Sequence, residues 1–373
     1  MSEEFISVDD HVLEPPDLWT SRLDAGRWGS RIPQLVKNGD ATEHWRIDGK
    51  VVLGGSVGQV GALMGDRNEE PKTWAEVPEE AYVPARRLQA MDAAAESHAV
   101  LYPTVAGMAG EAFAGIEDPE LEIACVQAYN DWLLDVWAGA SDRFVPQCIV
   151  PLSSVDATVA EIRRAVGNGH KGVIFPALPM DLRGVPHVAE ADYDPVWAAC
   201  EGLRVPLCLH AGSSPTLEYE RYAGLSPKLA TAIADVAKPV SSVYVLGLYL
   251  FSRILMRHPG LKVVLAESAL SWGLLYLEWA DHQADHDGLA NEGYDLTPSQ
   301  LFHRQCYLTA WYDEVAPFAP FIHTDNVMWS SNLPLATSTW PQTQKTIDHC
   351  LNGLSASDSR KVLWTNAASL YGI

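Results

Sequence analysis

The first apolar run of the chain leads into the stretch Val8-Asp9-Asp10-His11-Val12-Leu13-Glu14-Pro15-Pro16-Asp17-Leu18-Trp19. This stretch places four carboxylates and one histidine directly behind a candidate strand. Carboxylate oxygens and imidazole nitrogens bind divalent metal ions, and the same groups transfer protons. The stretch therefore predicts a strand whose carboxyl end carries chemistry.

Short apolar runs of the same kind recur along the chain and alternate with helical patterns. The predicted strands span residues 5–9, 98–103, 144–150, 171–176, 206–210, 262–267, 306–311 and 326–330. Eight such alternations in a chain of 373 residues favour a closed barrel over an open sheet. We therefore expect an α/β protein with a single (β/α)8 barrel domain that spans residues 1–373.

Helical signals lie between these strands, at residues 118–138, 154–166, 194–204, 226–258 and 271–286. Residues 19–84 interrupt the alternation. Within them, residues 44–55 predict a small hairpin with an Asp-Gly turn. An insertion at this place follows the first strand, so we expect residues 19–84 to form a lid over the barrel mouth.

The charge balance and the cysteines limit the partners of the chain. A formal net charge of −22 repels nucleic acid and anionic membrane surfaces, so we expect neither as a partner. No apolar run approaches the length of a membrane span, and the amino terminus lacks the pattern of a secretory signal. The six cysteines stand singly, which is typical of buried thiols in a reducing compartment. We expect a cytoplasmic protein with a small-molecule substrate.

Polar side chains follow several of the predicted strands. Asp9 and His11 end the first strand, His210 the fifth and Glu267 the sixth, and Asn332 follows the eighth. The carboxyl ends of barrel strands meet at one mouth, so we expect these side chains to converge there. Asp, Glu and His supply oxygen and nitrogen donors. The sequence therefore predicts a divalent metal ion, Zn, Mn or Fe, bound by some subset of Asp9, His11, His210 and Glu267.

Each of these residues also has a purely structural interpretation. Asp9 could cap a turn before the proline-rich loop. His210 could be a satisfied histidine at a strand end, and Glu267 could pair with a buried arginine.

Further residues are candidates for a second metal or for supporting the ligands. Asp10 and Glu14 belong to the opening stretch. His282 and His286 are four residues apart on a predicted helix, as in a chelate, but their polar setting favours a solvated helix end. We keep Asp10, Glu14 and His282 as candidates.

Taken with these residues, the chain resembles the amidohydrolase-related family that contains aminocarboxymuconate semialdehyde decarboxylase-like and resorcylate decarboxylase-like enzymes. The resemblance covers nearly all of the chain and rests on many ordered matches. The matching pieces lie at residues 8–15, 128–132, 142–146, 193–197, 209–212, 257–268, 326–331 and 366–372.

The resemblance implies a metal-dependent (β/α)8 barrel that hydrolyses C–N or C–O bonds or removes carboxylate from an aromatic or enoic acid. It carries metal ligands over to Asp9, His11 and His210, and it places Glu267 after the sixth strand. The family has a Ser-Asp-Tyr-Pro-His motif after the last strand, whose aspartate binds metal and handles protons. Here that string is Ser331-Asn332-Leu333-Pro334-Leu335.

Asn332 and Leu335 thus remove both reactive groups of the motif. An asparagine amide coordinates metal weakly and cannot accept a proton as a general base. Two hypotheses follow. In the first, the chain is an enzyme for metal-assisted hydrolysis or non-oxidative decarboxylation of a small carboxylated substrate, with Glu267 as the base. In the second, it is a degenerate paralogue that serves as partner subunit in a hetero-oligomeric dinuclear-metal oxygenase of the same family. We expect a homo-oligomer, or a hetero-oligomer with a homologous subunit.

Overall fold

Parallel strands form the wall of a barrel in the computed structural model, which describes residues 3–67, 69–217 and 224–373. The strands are β1 (Phe5–His11), β2 (Gln34–Lys37), β3 (Glu43–Ile47), β4 (Lys50–Val51), β5 (Glu96–Tyr102), β6 (Phe144–Cys148), β7 (Gly172–Ile174), β8 (Leu207–His210), β9 (Val263–Ala266), β10 (Cys306–Ala310) and β11 (Val327–Trp329). Within the described residues, eight of them form one sheet in the order β1-β5-β6-β7-β8-β9-β10-β11. The eight predicted strands and the (β/α)8 class are confirmed.

The sheet closes where the segment after β11 meets β1. The amide of Asn332 donates a hydrogen bond to the carbonyl of Asp9 over 2.9 Å, and the amide of His11 donates to the carbonyl of Leu333 over 2.7 Å. These bonds join the two ends of the sheet. They also hold the segment that carries Asn332 directly against the strand end that carries Asp9 and His11.

The strands are buried on both faces. Every residue of β1 is buried, including Asp9, Asp10 and His11, and so is every residue of β8 and β9. Helices cover the outer face of a parallel barrel and side chains fill its interior, so such strands are apolar nearly throughout. The polar residues of β1 therefore need partners inside the protein.

Helices follow the strands. They are α1 (Leu18–Arg22), α2 (Ala25–Trp28), α3 (Pro84–Ala94), α4 (Pro119–Trp132), α5 (Val155–Asn168), α6 (Pro179–Leu182), α7 (Asp194–Leu203), α8 (Pro227–Ala237), α9 (Ser241–Phe251), α10 (Ile254–Arg257), α11 (Trp272–His286), α12 (Pro298–Gln305), α13 (Ala319–Ile322), α14 (Thr343–Cys350), α15 (Ala356–Arg360) and α16 (Asn366–Tyr371). Side chains cap several starts: Asp118 accepts backbone N–H bonds at the start of α4, and Ser154 does so at the start of α5.

Shorter helical turns complete the chain. Turns of π-helix extend α4 and α15, at Leu133–Ala138 and Lys361–Thr365. Turns of 3-10 helix lie at Gly29–Arg31, Leu53–Gly55, Gly61–Leu63, Trp74–Glu76, Glu79–Ala81, Glu111–Phe113, Ala191–Tyr193, Pro215–Leu217, Leu289–Glu292 and Thr324–Asn326.

The predicted helical segment at residues 226–258 is divided into α8, α9 and α10. Lys238 still has helical φ and ψ and donates to the carbonyl of Ala234, but Pro239 has no N–H and cannot continue the hydrogen bonding of α8. Arg253 has a φ of 65° and ends the continuity between α9 and α10. The first break leaves Lys238 at the carboxyl end of α8, with its side chain directed at Glu267 rather than along the helix surface.

Part of the inserted segment forms an antiparallel sheet of β2, β3 and β4. The turn between β3 and β4 has positive φ at both central residues, 49° at Asp48 and 78° at Gly49, which is the conformation of a tight hairpin turn. The predicted hairpin is confirmed. The sequence analysis missed β2, which pairs with β3 from Gln34 to Lys37.

The insertion also packs against the loop that follows β11. The amide of Ala62 donates to the carbonyl of Pro334 over 3.1 Å. Arg67 donates to the carbonyls of Ala336 and Ser338 over 3.2 and 2.6 Å. These contacts bring the insertion beside residues 333–340, and its role as a lid remains a prediction.

One helical stretch differs from the expectation that no apolar run approaches membrane length. Residues Lys228–Phe251 are long and apolar enough to cross a membrane by length and composition alone, and 22% of the apolar window is buried inside the protein. Helices of soluble proteins pass the same test, so this composition does not assign a membrane. The stretch exposes apolar side chains, among them Val236 and Tyr244.

His170 gives the fold a pH dependence that can be measured. It is buried between α5 and β7, and its Nδ1 donates to the carbonyl of Ala165 over 3.0 Å. Burial lowers the pKa of His170 from 6.5 to about 4. Between these two values the unfolded chain binds a proton that the folded chain does not, so the free energy of unfolding falls as the pH falls.

We expect the substitution His170→Gln to remove this contribution. Between about pH 7 and pH 5, the wild-type protein should lose about 2 kcal/mol more stability than the variant. Urea unfolding of both proteins at the two pH values measures the difference. Equal losses in the two proteins would show that His170 is not held neutral by burial.

Candidate metal centre

Asp9, His11 and His210 come together at the ends of β1 and β8. The Oδ1 atom of Asp9 lies 3.4 Å from Nε2 of His11 and 3.3 Å from Nε2 of His210. One ligand atom from each residue lies within 4.8 Å of the others, and all three residues are buried. The convergence predicted from the strand ends therefore includes these three side chains. We call them the ligand triad.

Main-chain carbonyls orient both imidazoles of the triad. Nδ1 of His11 donates to the carbonyl of Pro103 over 2.8 Å, and Nδ1 of His210 donates to the carbonyl of Ala211 over 2.6 Å. A neutral imidazole that donates from Nδ1 presents a lone pair at Nε2. Both lone pairs consequently face Asp9, an arrangement that is typical of metal-binding histidines with a supporting hydrogen bond.

The triad leaves buried polar atoms without hydrogen-bond partners among the described residues. These atoms are both carboxylate oxygens of Asp9 and the Nε2 atoms of His11 and His210. A divalent cation would satisfy all of them, because one oxygen and two nitrogen donors of this kind suit Zn, Mn and Fe. The residues present therefore fit a divalent ion.

Without a metal ion, a proton on His210 can supply part of the positive charge that the Asp9 carboxylate needs. Burial disfavours a charged imidazole, but the Asp9 carboxylate outweighs this effect and raises the pKa of His210 to about 9. The histidines in turn hold the pKa of Asp9 well below its usual range despite its burial. Metal binding at this site would therefore displace a proton from His210.

Glu267 lies beside the triad, on the side of His210 that faces away from Asp9. Its Oε2 is 4.0 Å from Nδ1 of His210 and 3.3 Å from Nζ of Lys238. Its Oε1 accepts hydrogen bonds from Nδ2 of Asn332 over 3.1 Å and from Oγ1 of Thr337 over 3.3 Å. The structure thus places Glu267, which we predicted as both ligand and base, in contact with an ammonium and an amide, and outside the ligand triad.

Asn332 connects the two parts of the site. Its amide N–H binds the Asp9 carbonyl, its Nδ2 binds Glu267, and its Oδ1 is buried without a hydrogen-bond partner among the described residues. Glu267 and Asn332 also share an uncommon backbone conformation, with φ of 53° and 59°. Such strained residues often cluster at functional sites. Leu335, which ends the string Ser331-Asn332-Leu333-Pro334-Leu335, is buried and apolar.

The remaining candidates lie apart from the triad. Asp10 accepts from the hydroxyls of Ser7 and Ser331 over 2.7 Å each and pairs with the buried guanidinium of Arg87 at 3.4 Å. The carboxylate of Glu14 accepts hydrogen bonds from the backbone amides of residues 104–106.

His282 lies on α11, where it is exposed and its ring stacks on His286. That placement is the solvated helix end that the polar setting of this segment favoured.

The sequence analysis missed Lys238 and Thr337. Lys238 was detectable in one respect, because it is the only basic residue between Lys228 and Arg253, in a largely apolar run. The carboxylate of Glu267 raises its pKa. Thr337 carried no signal, since threonine is common in loops.

Comparisons with known proteins bear on this site. The model of a family described as amidohydrolase matches residues 70–373. A γ-resorcylate decarboxylase of Rhizobium radiobacter is 25% identical over 278 residues, which cover 69% of this chain and 78% of the relative.

Two solved structures show the fold. An amidohydrolase of Mycobacterium avium subsp. paratuberculosis superposes with a TM-score of 0.79 at 22% identity, over 100% of both chains. A 5-carboxyvanillate decarboxylase of Novosphingobium aromaticivorans, an aspartate-to-asparagine variant with bound manganese and 3-methoxy-4-hydroxy-5-nitrobenzoic acid, superposes with a TM-score of 0.66 at 18% identity, over 99% of this chain and 97% of the other.

We expect the purified protein to bind manganese or zinc through the triad. Asp9→Asn and His210→Ala should each weaken metal binding by at least about tenfold, because each removes a ligand. Equilibrium dialysis with metal analysis measures the bound equivalents.

The control is His282→Gln, which changes an exposed histidine outside the triad. It should bind metal like the wild-type protein. Metal content below about 0.2 equivalents in the wild-type protein, with no further loss in His210→Ala, would refute the site.

Proposed function

The chain belongs to the amidohydrolase family, and from this membership we propose that it catalyses the metal-assisted, non-oxidative decarboxylation of a small aromatic or enoic carboxylate. The observation that carries the proposal is the ligand triad, whose unpartnered atoms converge at the barrel mouth. The family match covers His210, Glu267 and Asn332. Curated relatives that are decarboxylases support this reaction class.

Asp9, His11 and His210 are the residues that would hold the metal ion. A bound divalent ion would polarise an oxygen of the substrate and stabilise negative charge that develops during the reaction. Manganese in a solved neighbour supports this ion as the first to test, with zinc and iron as the alternatives.

Asn332 leaves the last-strand motif without a group that can take up or deliver a proton. Hydrolysis needs a general base that takes a proton from water, and a neutral amide cannot accept one. Decarboxylation instead needs a proton donor. The bond between the substrate carbon and its carboxylate breaks, carbon dioxide leaves, and the electron pair left on the carbon takes a proton.

We assign the delivery of that proton to the pair of Glu267 and Lys238: Glu267 takes a proton from the Lys238 ammonium and passes it to the substrate carbon. The Oε2 atom of Glu267 is buried, lies 3.3 Å from the Lys238 ammonium, and has no hydrogen-bond partner among the residues that the structure describes. The Lys238 side chain is 28% exposed, so it connects Glu267 to solvent, from which the proton is replaced. Asn332 and Thr337 hold the other oxygen of Glu267 and orient the carboxylate.

The second hypothesis from the sequence, a partner subunit of a dinuclear-metal oxygenase, has no support from the relatives described above. Those relatives are decarboxylases and an amidohydrolase. The site argues in the same direction, because a chain that had lost its chemistry would have no need to keep four buried atoms of three residues without hydrogen-bond partners among the described residues.

Protein loaded with manganese should convert 2,6-dihydroxybenzoate or a related hydroxybenzoate into the corresponding phenol and carbon dioxide. Glu267→Gln should lower kcat by at least about 100-fold, the usual contribution of a positioned proton donor. Chromatography of the aromatic product and trapping of carbon dioxide measure turnover.

Glu267→Gln should keep its bound metal, since Glu267 lies outside the triad, and His282→Gln should keep full activity. If Glu267→Gln turned over at the wild-type rate, or if amides and esters were cleaved while no carboxylate lost carbon dioxide, the proposal would be wrong.

A further inference from the structure

Lys238 stands between the buried site and an open cavity. Its aliphatic stem passes over Gly212, where an added Cβ would lie 3.7 Å from Cε of the lysine. Its Nζ is 3.3 Å from Oε2 of Glu267. The ammonium therefore lies at the inner end of the side chain, while the helix end that carries it faces outward.

The cavity on the outer side has a volume of about 340 Å³. Its lining includes Gln59, Met108, Gly212, Ala234, Asp235 and Lys238. A space of this size lies at the lower end of the range of small-ligand pockets. Residues of the inserted segment, of α8 and of the loop after β8 meet around it, so Lys238 lies where a small molecule would pass from solvent toward Glu267.

Lys238 keeps hydrogen-bonding capacity for a ligand. An ammonium has three N–H donors, and Glu267 takes one of them. Glu267 does not depend on Lys238 alone, because Asn332 and Thr337 donate to its other oxygen. A second anion can thus bind the ammonium while Glu267 stays in place.

The charges in contact at the mouth also favour an anion. With a divalent ion on the triad, the ion and Lys238 contribute three positive charges, and Asp9 and Glu267 contribute two negative ones. An aspartate at position 332 would bring the sum to zero. Asn332 leaves one positive charge in excess among these four groups, and Asp235, which acts on Lys238 from the cavity, offsets part of it.

We propose that Lys238 binds the carboxylate of the substrate at the inner end of this cavity. The assignment rests on the proposed function for the identity of the substrate, but it concerns binding and not turnover. It makes Lys238 a substrate-binding residue that selects carboxylates over uncharged molecules of the same shape. Asp235, three residues earlier on α8 and in the same cavity, opposes the anion.

Benzoate and benzamide test the proposal, because they have nearly the same shape and differ by one charge. Their affinities for the manganese-loaded protein are measured by isothermal titration calorimetry. Lys238→Met should weaken benzoate binding at least about tenfold and leave benzamide binding within about twofold. Lys238→Arg should retain most of the affinity for benzoate, and Asp235→Asn should strengthen it.

If Lys238→Met bound benzoate as tightly as the wild-type protein, the proposal would be wrong. It would also be wrong if the variant lost as much affinity for benzamide as for benzoate, because that result would indicate a change in the shape of the binding site. Failure of the wild-type protein to bind benzoate or 2,6-dihydroxybenzoate would overturn it too. The outcomes separate the two proposals. If benzoate binding depended on Lys238 but no substrate were decarboxylated, the proposed reaction would be rejected and the role of Lys238 would stand. If a substrate were decarboxylated but benzoate affinity did not depend on Lys238, the reaction would stand and the role of Lys238 would be rejected.

Discussion

A buried carboxylate without a hydrogen-bond donor is the constraint on which the site depends. Asp9 is inaccessible to solvent, and neither of its oxygens has a hydrogen-bond partner among the described residues. An uncompensated buried charge costs several kcal/mol, so the fold must bring positive charge to it. His11 and His210 turn Nε2 toward Asp9 because main-chain carbonyls bind their Nδ1 atoms. The triad can hold either a proton or a divalent ion, and the ion satisfies more of its donor atoms.

Asn332, in place of the aspartate of the family motif, affects the charge and hydrogen bonding of its neighbours as well as its own. Nδ2 of Asn332 lies 3.1 Å from Oε1 of Glu267. A carboxylate in its place would put two negative charges in contact, unless a cation lay between them. The amide instead donates to Glu267, and Lys238 supplies the positive charge on the other side. The substitution thus shifts charge from the last-strand motif to the pair of Glu267 and Lys238, which is a rearranged site and not an emptied one.

The sequence predicted the barrel and the convergence of Asp9, His11, His210 and Glu267 for the same reason. Strands buried on both faces leave apolar runs that are easy to recognise, and parallel strands in a barrel bring their carboxyl ends to one mouth. Asp9, His11 and His210 could therefore be placed together without coordinates. The orientation of Glu267 could not, because it depends on the positive φ of that residue and on donors from the loop after β11. Lys238 was missed because its contact with Glu267 joins two segments that are far apart in the sequence, and the apolar pattern around Lys238 does not reveal such a contact.

Crystals grown with manganese give the most direct test of the central claim, that Asp9, His11 and His210 form one metal site. Anomalous scattering locates the ion independently of any assay. The account predicts one strong peak at the barrel mouth, at about 2.0 to 2.3 Å from a carboxylate oxygen of Asp9 and from Nε2 of both histidines. A peak elsewhere, or no peak with Asp9 paired to a protonated His210, would contradict it.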